Sequence, residues 1–228
     1  MTPRFEREGR TPEPCISVET VTLRSPSGEE FVVLARPLAH LSKYFRTALN
    51  SSFQEATTRV FDLVEHCDDK ILQAFTNWVY LRSSGAPYSP LSVPFMSRLS
   101  LRTVVKAWLF GDYIRAPAFQ NDMMVLILDV GNEQFNECVF KSVGQSVPEN
   151  SPLERFLVDR LCSLIFYHGR SHIDMVMDWC TANLTSHVCK KLCTAIWDKG
   201  AGVGKKNYAW VGKYEEYTVE EEKKPEEW

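Results

Sequence analysis

The sequence predicts a mixed α+β fold, in which a few strands pack against helices and a helical extension follows. Three observations predict it. Short apolar or alternating segments near the N-terminus indicate strands, longer segments with apolar residues at helical spacing follow them, and turn or loop residues separate the two kinds of element. With 228 residues, 44% of them hydrophobic, the chain can bury the core of one large domain or two small ones.

Three segments have the character of strands. Residues 16–23 are rich in valine and threonine, residues 31–34 are apolar on both faces and are therefore predicted to be buried, and residues 59–64 alternate. Residues 25–28 read Ser-Pro-Ser-Gly, which suits a type I turn with proline at its second position and glycine at its fourth. The first two strands are therefore predicted to form a hairpin.

The helix predicted after the second strand is the one around which the domain is organised. Pro37 suits its first turn, and Asn50 suits its end. Its apolar face is predicted to consist of Leu38, Leu41, Phe45, Ala48 and Leu49. Lys43 and Arg46 lie on the opposite side, so the helix is predicted to pack against other elements through one face only.

Further helices are predicted downstream. Asp68 is a candidate N-cap for the next one, and residues 83–93, rich in glycine, serine and proline, are predicted to be a loop. A helix over residues 101–114 is expected to end before Pro117, because the residue that precedes a proline is disfavoured in the α region. Ser151 is placed to cap a later helix that opens at the following proline.

These elements define a predicted domain organisation. It comprises a flexible leader at 1–14, a domain at 15–131, a linker or irregular segment at 132–150, a helical extension at 151–198 and a disordered tail, Gly-rich and then acidic, at 199–228. Residues 214–228 carry seven glutamates and two lysines, so this stretch has a net charge of −5, whereas the whole chain has a net charge of −3.

Composition narrows the classes of partner. The small net charge gives no basis for binding nucleic acid or an anionic membrane. The sequence shows no apolar run of transmembrane length and no hydrophobic signal core. Seven cysteines without a dense framework are predicted to be reduced thiols, so we expect an intracellular protein, cytoplasmic or nuclear.

Three stretches carry a resemblance to a known family. They are FVVLARPLAHLSKYFRTALNSSFQE at 31–55, NWVYLRS at 77–83 and LFGDYIRAPAFQND at 109–122. Together and in this order they resemble the signature of the BTB/POZ domain, its fungal versions in particular, over about half of the chain. The residues that this resemblance assigns to the family core are Phe31, Val33, Leu38, Tyr44, Phe45, Trp78 and Tyr80.

The resemblance implies a small mixed sheet packed against a helical cluster, and a module that binds proteins and catalyses nothing, commonly as a homodimer. It also implies an alternative role as a substrate adaptor of a cullin-type ubiquitin ligase. No cofactor, metal or small-molecule substrate is implied. Two departures matter. The family carries an Asp where Thr20 stands, and a His-Lys pair where Leu34 and Ala35 stand, which puts the charged pocket of its transcriptional members in doubt. The loop at 83–100 lacks the Glu of adaptor members.

The surface predicted for self-association includes those two substituted positions. Leu34 and Ala35 are apolar where the family is polar, and Ile16 and Val18 are expected to lie alongside and to widen an apolar patch. Such a patch is commonly covered by a partner, and a second copy in a two-fold arrangement is the commonest one. A monomer with Leu34 buried in its own core is the alternative.

A Cys/His metalloprotein or hydrolase is the alternative from a different class. Cysteines and histidines are frequent between Cys162 and Cys193, and His168 and His172 are four residues apart. Gly169 interrupts the helical pattern between those two histidines, and the region has no C-x-x-C or H-E-x-x-H motif. Packing of the thiols as small apolar groups is the reading that we favour.

Overall fold

The computed structural model describes residues 19–63, 67–129, 145–168, 180, 182, 184–200 and 214–221. Within these residues the chain is a mixed α+β protein, a small sheet followed mostly by helices. The predicted leader and all but the last few residues of the predicted linker lie outside the described residues. Among the helices of the described part, none has both the length and the apolar character needed to cross a membrane.

The sheet of the described residues has three strands in the order β2-β1-β3. They are β1 at Thr20–Arg24, β2 at Glu30–Leu34 and β3 at Val60–Asp62. β1 pairs with β2 in antiparallel and with β3 in parallel orientation. The hairpin prediction is confirmed: the Gly28 amide donates to the Ser25 carbonyl at 3.0 Å, and Gly28 adopts a φ of +86°, which glycine tolerates without a steric cost.

The two faces of this sheet differ in burial. Val21 and Leu23 of β1 and Val33 of β2 are buried against the helices, whereas Val32 is 55% exposed. The prediction that residues 31–34 are buried on both faces is therefore wrong. β2 is a terminal strand of the described sheet and successive side chains point to opposite faces, so its continuous apolar run does not imply two covered faces.

The single helix predicted over residues 37–50 is two helices. α1 spans Ala35–Leu41 and α2 spans Lys43–Leu49, and Ser42 between them has an extended backbone with φ −136° and ψ 124°. The Ser42 hydroxyl donates to the carbonyl of Ile114 at 2.6 Å and accepts from the Phe45 amide at 3.3 Å, as an N-cap does. A contact with a distant helix end therefore breaks a pattern that reads as one helix.

Further helices follow, and two of them, Gln54–Thr58 and Pro94–Ser97, lie where the sequence predicts none. These further helices are α3 Gln54–Thr58, α4 Asp69–Ser83, α5 Pro94–Ser97, α6 Leu101–Tyr113, α7 Pro117–Asp129, α8 Pro152–His168 and α9 Ser186–Gly200, with 3-10 turns at Pro90–Ser92 and Tyr214–Tyr217. Both predicted caps are present. Asp68 accepts from the Ile71 amide at 3.0 Å, and Ser151 accepts from the Glu154 amide at 3.1 Å.

An aromatic cluster forms the centre of the core. The Phe75 ring lies 5.3 to 6.2 Å from the rings of Phe45, Trp78, Phe110 and Phe119, and all five side chains are fully buried. The rings come from α2, α4, α6 and α7, so this cluster joins the helices that pack on the sheet. Offset and edge-to-face ring pairs stabilise a core beyond their buried area alone.

Most residues of the signature lie in this core. Val33, Leu38, Phe45 and Trp78 are fully buried, and Phe31 and Tyr44 are partly buried against the same cluster. Tyr80 differs from the prediction: it is 42% exposed, and its hydroxyl donates to the Val32 carbonyl at 3.0 Å. Tyr80 lies on α4 two residues after Trp78, and two residues are about 200° apart around a helix, so these two side chains cannot share a face.

The tail prediction is wrong for residues 214–221. Tyr217 is 1% exposed, its ring meets the Phe156 ring edge to face at 5.7 Å, and its hydroxyl donates to Asp159 Oδ2 at 2.9 Å. Val219 is hydrogen-bonded to the side chain of Asn121 on α7. This segment, which we call the strap, therefore connects α8 to α7.

Candidate functional site

The first candidate surface is the outer face of the sheet. Its side chains are those of Thr20, Thr22, Val32, Leu34 and Val60, which we call the sheet face. The register pairs Thr20 with Leu34, and Thr22 with both Val32 and Val60. Val32 is largely exposed, while Leu34 and Val60 are half-buried. The sheet face is therefore a patch of β-branched and apolar side chains, in which Val32 on the terminal strand β2 is the most exposed apolar one.

The four residues predicted for self-association do not all belong to this patch. Leu34 does. Ala35 does not, because it starts α1, is only 6% exposed and donates its amide to the Glu19 carbonyl at 3.0 Å. Ile16 and Val18 lie outside the described residues. Val32 was missed, although the alternation of threonine with buried residues in β1 was a signal that one face of the paired strand is open.

Charges of both signs border the sheet face. Arg24 donates to Glu30 at 3.0 Å and to Asp62 at 2.9 Å, so one guanidinium links all three strands of the described sheet. Because these side chains are exposed, the ion pairs contribute little to stability. Their value for recognition is that they place a cation between two anions at the rim of an apolar patch.

The second candidate surface is a groove that forms where two helix breaks meet. The α1–α2 break packs on the α6–α7 break: besides the Ser42 bond, the amides of Lys43 and Tyr44 donate to the carbonyls of Arg115 and Ile114, at 3.1 and 3.3 Å. The first amides of α2, which have no partner within their own helix, thus donate to the carbonyls of the two residues that follow α6. Arg115 adopts a left-handed φ of +52° to turn the chain into α7.

Four parts of the chain line this groove, which has a volume of about 700 Å³. They are the end of α1 with the start of α2, the end of α4 with the loop after it, the α6–α7 break, and the strap. Its basic side chains are those of His40, Lys43, Arg46, Arg82 and Arg115, and its acidic ones are those of Asp112, Glu220 and Glu221. We call it the basic groove.

The strap is held at the edge of the basic groove by one side chain in particular. Asn121 Oδ1 accepts from the Val219 amide at 2.7 Å, and its Nδ2 donates to the Val219 carbonyl at 3.0 Å. Glu221 follows, with one carboxylate oxygen 3.4 Å from the same Nδ2 and the other 3.9 Å from an Arg82 nitrogen. Sequence reasoning missed this site, since no local pattern connects Asn121 with a residue 98 positions away.

A buried carboxylate joins α8 to α9. Glu154 has no exposed side-chain surface, and it contacts His187 Nδ1 at 2.5 Å, the Lys191 ammonium and the Asn150 amide, the last at 2.7 Å. The Lys191 ammonium also donates to Asn150 Oδ1 at 2.9 Å. His187 thus pairs with the Glu154 carboxylate, and this cluster holds the two helices of the extension, α8 and α9, together.

The described residues give little support to the metalloprotein and hydrolase alternatives. No group of three or more His, Cys, Asp and Glu side chains converges there as metal ligands would; His172 lies outside them. Burial raises the pKa of the Cys180 thiol to about 12, with Cys189 and Cys193 adding to the shift, and burial raises the pKa of Cys67 to about 12 as well. A catalytic thiol needs the opposite shift, toward the thiolate.

Comparison with known proteins adds no relative. No protein-family model matches the chain, and no curated protein matches it.

Proposed function

We propose that the chain is a non-catalytic protein–protein interaction module of the BTB/POZ type, which self-associates and acts as a scaffold or adaptor in the cytoplasm or nucleus. The signature segments support the family assignment, since four of their residues, Val33, Leu38, Phe45 and Trp78, contribute to one buried core. A hairpin, three short helices and a parallel third strand, followed by helices, fit the small sheet and helical cluster that the resemblance implies. The free cysteines of the described residues fit a reducing compartment.

The observation that carries the proposal is the exposure of Val32 on the sheet face. An exposed valine next to the half-buried Leu34 on the same strand gains by being covered, at about 25 cal/mol per Å² of apolar surface. The occupant that we propose is a second copy.

The rim of the sheet face supports a two-fold arrangement. A two-fold contact brings the same patch of both copies together, so the patch must complement itself. Arg24 with its neighbours Glu30 and Asp62 meets this requirement, because a cation of one copy can face an anion of the other in both directions. A patch with charges of one sign would repel its copy.

The test is the mass of the full chain in solution at micromolar concentration, measured by light scattering. We expect a dimer, and we expect Val32→Asp to convert it to a monomer with an unchanged circular dichroism spectrum, because the side chain is exposed. Leu91→Asp is the matched control: Leu91 is also exposed, at 41%, but lies in the 3-10 turn after α4. A monomeric wild-type chain, or dissociation by both substitutions, would contradict the proposal.

A further inference from the structure

The strap reveals what kind of ligand the basic groove accepts. Asn121 bonds both the N–H and the C=O of Val219. A residue within a helix uses these groups internally, so the two bonds select a residue in non-helical backbone. They contact no side chain of Val219, so they hold a peptide regardless of which residue stands at that position.

The charges of the groove specify the side chains of such a ligand. With His40 neutral, four cations line the groove, those of Lys43, Arg46, Arg82 and Arg115. Against them stand the carboxylate of Asp112 and two that belong to the strap. Without the strap, the lining of the groove would keep these four cations and one carboxylate. The strap therefore acts as an internal acidic ligand, although the groove beside it keeps a volume of about 700 Å³.

We infer that the basic groove is a docking site for a non-helical acidic segment of a partner protein, and that the chain's own strap competes with this segment. The partner's carboxylates take the positions that Glu220 and Glu221 now hold in the groove, the second of them beside Arg82, and its backbone takes the Asn121 bonds. Charge complementarity of this kind contributes more to specificity and to the rate of association than to affinity, so a moderate, salt-sensitive affinity is expected.

The same geometry favours a peptide over a nucleic acid. Both are anionic, but the Asn121 side chain uses its acceptor and its donor on a backbone N–H and C=O at the same time. A sugar-phosphate backbone has no N–H to offer to the acceptor. The aromatic side chain of the groove, Tyr88, is half-buried and donates its hydroxyl to Asp122, which does not make it a stacking platform for bases.

The experiment measures fluorescence anisotropy of a labelled peptide, YTVEEE, which copies residues 217–222, titrated with the full chain. We expect saturable binding that weakens with salt, and no binding of the neutral peptide YTVQQQ. The double substitution Lys43→Glu with Arg82→Glu should weaken binding about tenfold or more. The matched control is Lys70→Glu with Arg98→Glu, which makes the same change of charge at exposed positions outside the groove and should leave the affinity within about twofold.

A separate pair of variants tests whether the strap competes with the peptide for the basic groove. Glu220→Gln with Glu221→Gln should tighten binding of the peptide severalfold, because it weakens the internal ligand. Glu215→Gln with Glu216→Gln makes the same charge change in the same segment, outside the groove, and should have a smaller effect. Equal gains in the two variants, or no gain in the first, would overturn the competition.

Three results would overturn the docking site itself. They are absence of saturable binding, equal weakening by the groove and control charge reversals, and tighter binding of a labelled oligothymidylate than of the peptide. The inference shares with the proposed function the premise that the chain binds proteins. The two remain separable, since Val32 does not line the groove: a Val32→Asp chain should still bind YTVEEE, whatever its effect on self-association.

Discussion

At the scale of single residues, Glu154 illustrates how the helical extension is held together. Burial pushes the pKa of this carboxyl upward, but hydrogen bonds from Lys191, His187 and the Asn150 amide outweigh burial, so the pKa lies below the usual glutamate range. A carboxylate of this kind is ionised in the folded chain and stabilises it as an anion. The neighbouring Ser151 adds to the arrangement by capping the same turn of α8.

The lowered pKa predicts a pH dependence with a definite sign. A carboxyl with a depressed pKa stabilises the fold above its unfolded pKa, about 4.3 for glutamate, and this contribution disappears as the pH falls through the lower, folded value. Glu154→Gln should therefore cost about 2–3 kcal/mol at neutral pH, and its difference from wild type should shrink on acidification below about pH 4.

Thermal unfolding followed across this pH range measures the effect. Glu149→Gln is the control, since Glu149 is an exposed glutamate five residues before Glu154 and should change stability little at any pH. A Glu154→Gln chain as stable as wild type at neutral pH, or a difference that grows in acid, would show that the buried carboxyl is not held as an anion.

At the scale of elements, the α6–α7 pair depends on the absence of a side chain. A Cβ placed on Gly111 would lie 2.8 Å from Gln120 Cγ and 3.1 Å from Phe119 Cδ1. Both neighbours are buried, so neither can move away freely. Gly111 therefore allows a close approach of the two helices whose junction forms one wall of the basic groove.

This close approach predicts that Gly111→Ala destabilises the chain. Alanine favours a helix over glycine by about 1 kcal/mol, but overpacking of a tight contact costs about 1–3 kcal/mol, and the 2.8 Å contact makes the second effect the larger. Chemical denaturation measures the difference. In a double-mutant cycle with Gln120→Ala, part of the loss should be recovered, because the clashing atom is gone. A more stable Gly111→Ala chain would refute the close contact.

At the scale of the whole molecule, the strap ties the helical extension to the sheet-and-helix domain. Tyr217 packs on Phe156 and donates to Asp159 of α8, while Asn121 of α7 holds Val219. The segment thus contacts both parts of the chain at once. Burial and the bond to Asp159 also raise the pKa of Tyr217, which keeps its hydroxyl protonated as a donor.

Truncation after residue 213 should therefore lower the melting temperature, contrary to what a disordered tail would predict. Burying one tyrosine and its hydrogen bonds is worth about 2 kcal/mol after the cost of ordering the segment, or about 4–8 °C for a chain of this size. Differential scanning calorimetry of the truncated chain gives the number. Tyr217→Phe, which removes the hydroxyl alone, should lose about 1 kcal/mol; a truncated chain that melts with the wild type would refute the docking of the strap.

Features that depend on neighbouring residues could be predicted from the sequence. The caps Asp68 and Ser151 lie within three residues of the amides they accept from, and the turn at Gly28 closes over four residues. Helical spacing predicted the buried position of Phe45 in the same way. Each of these features is encoded in a few consecutive residues, because periodicity and capping act over one or two turns.

Only the tertiary structure decided the features that bring distant residues together. Ser42 breaks a helix because the Ile114 carbonyl, 72 residues away, accepts its hydroxyl, and Tyr217 is ordered by Asp159, 58 residues away. The Asn121 clamp and the basic groove likewise require chain ends and helix breaks to meet. Composition alone indicated a disordered tail, because the segment contains many glutamates. Composition cannot show that one tyrosine among them is buried against another helix. Local sequence patterns hold no information about such a distant partner. The fold class could therefore be predicted from the sequence, whereas both candidate surfaces are formed by the packing of distant residues.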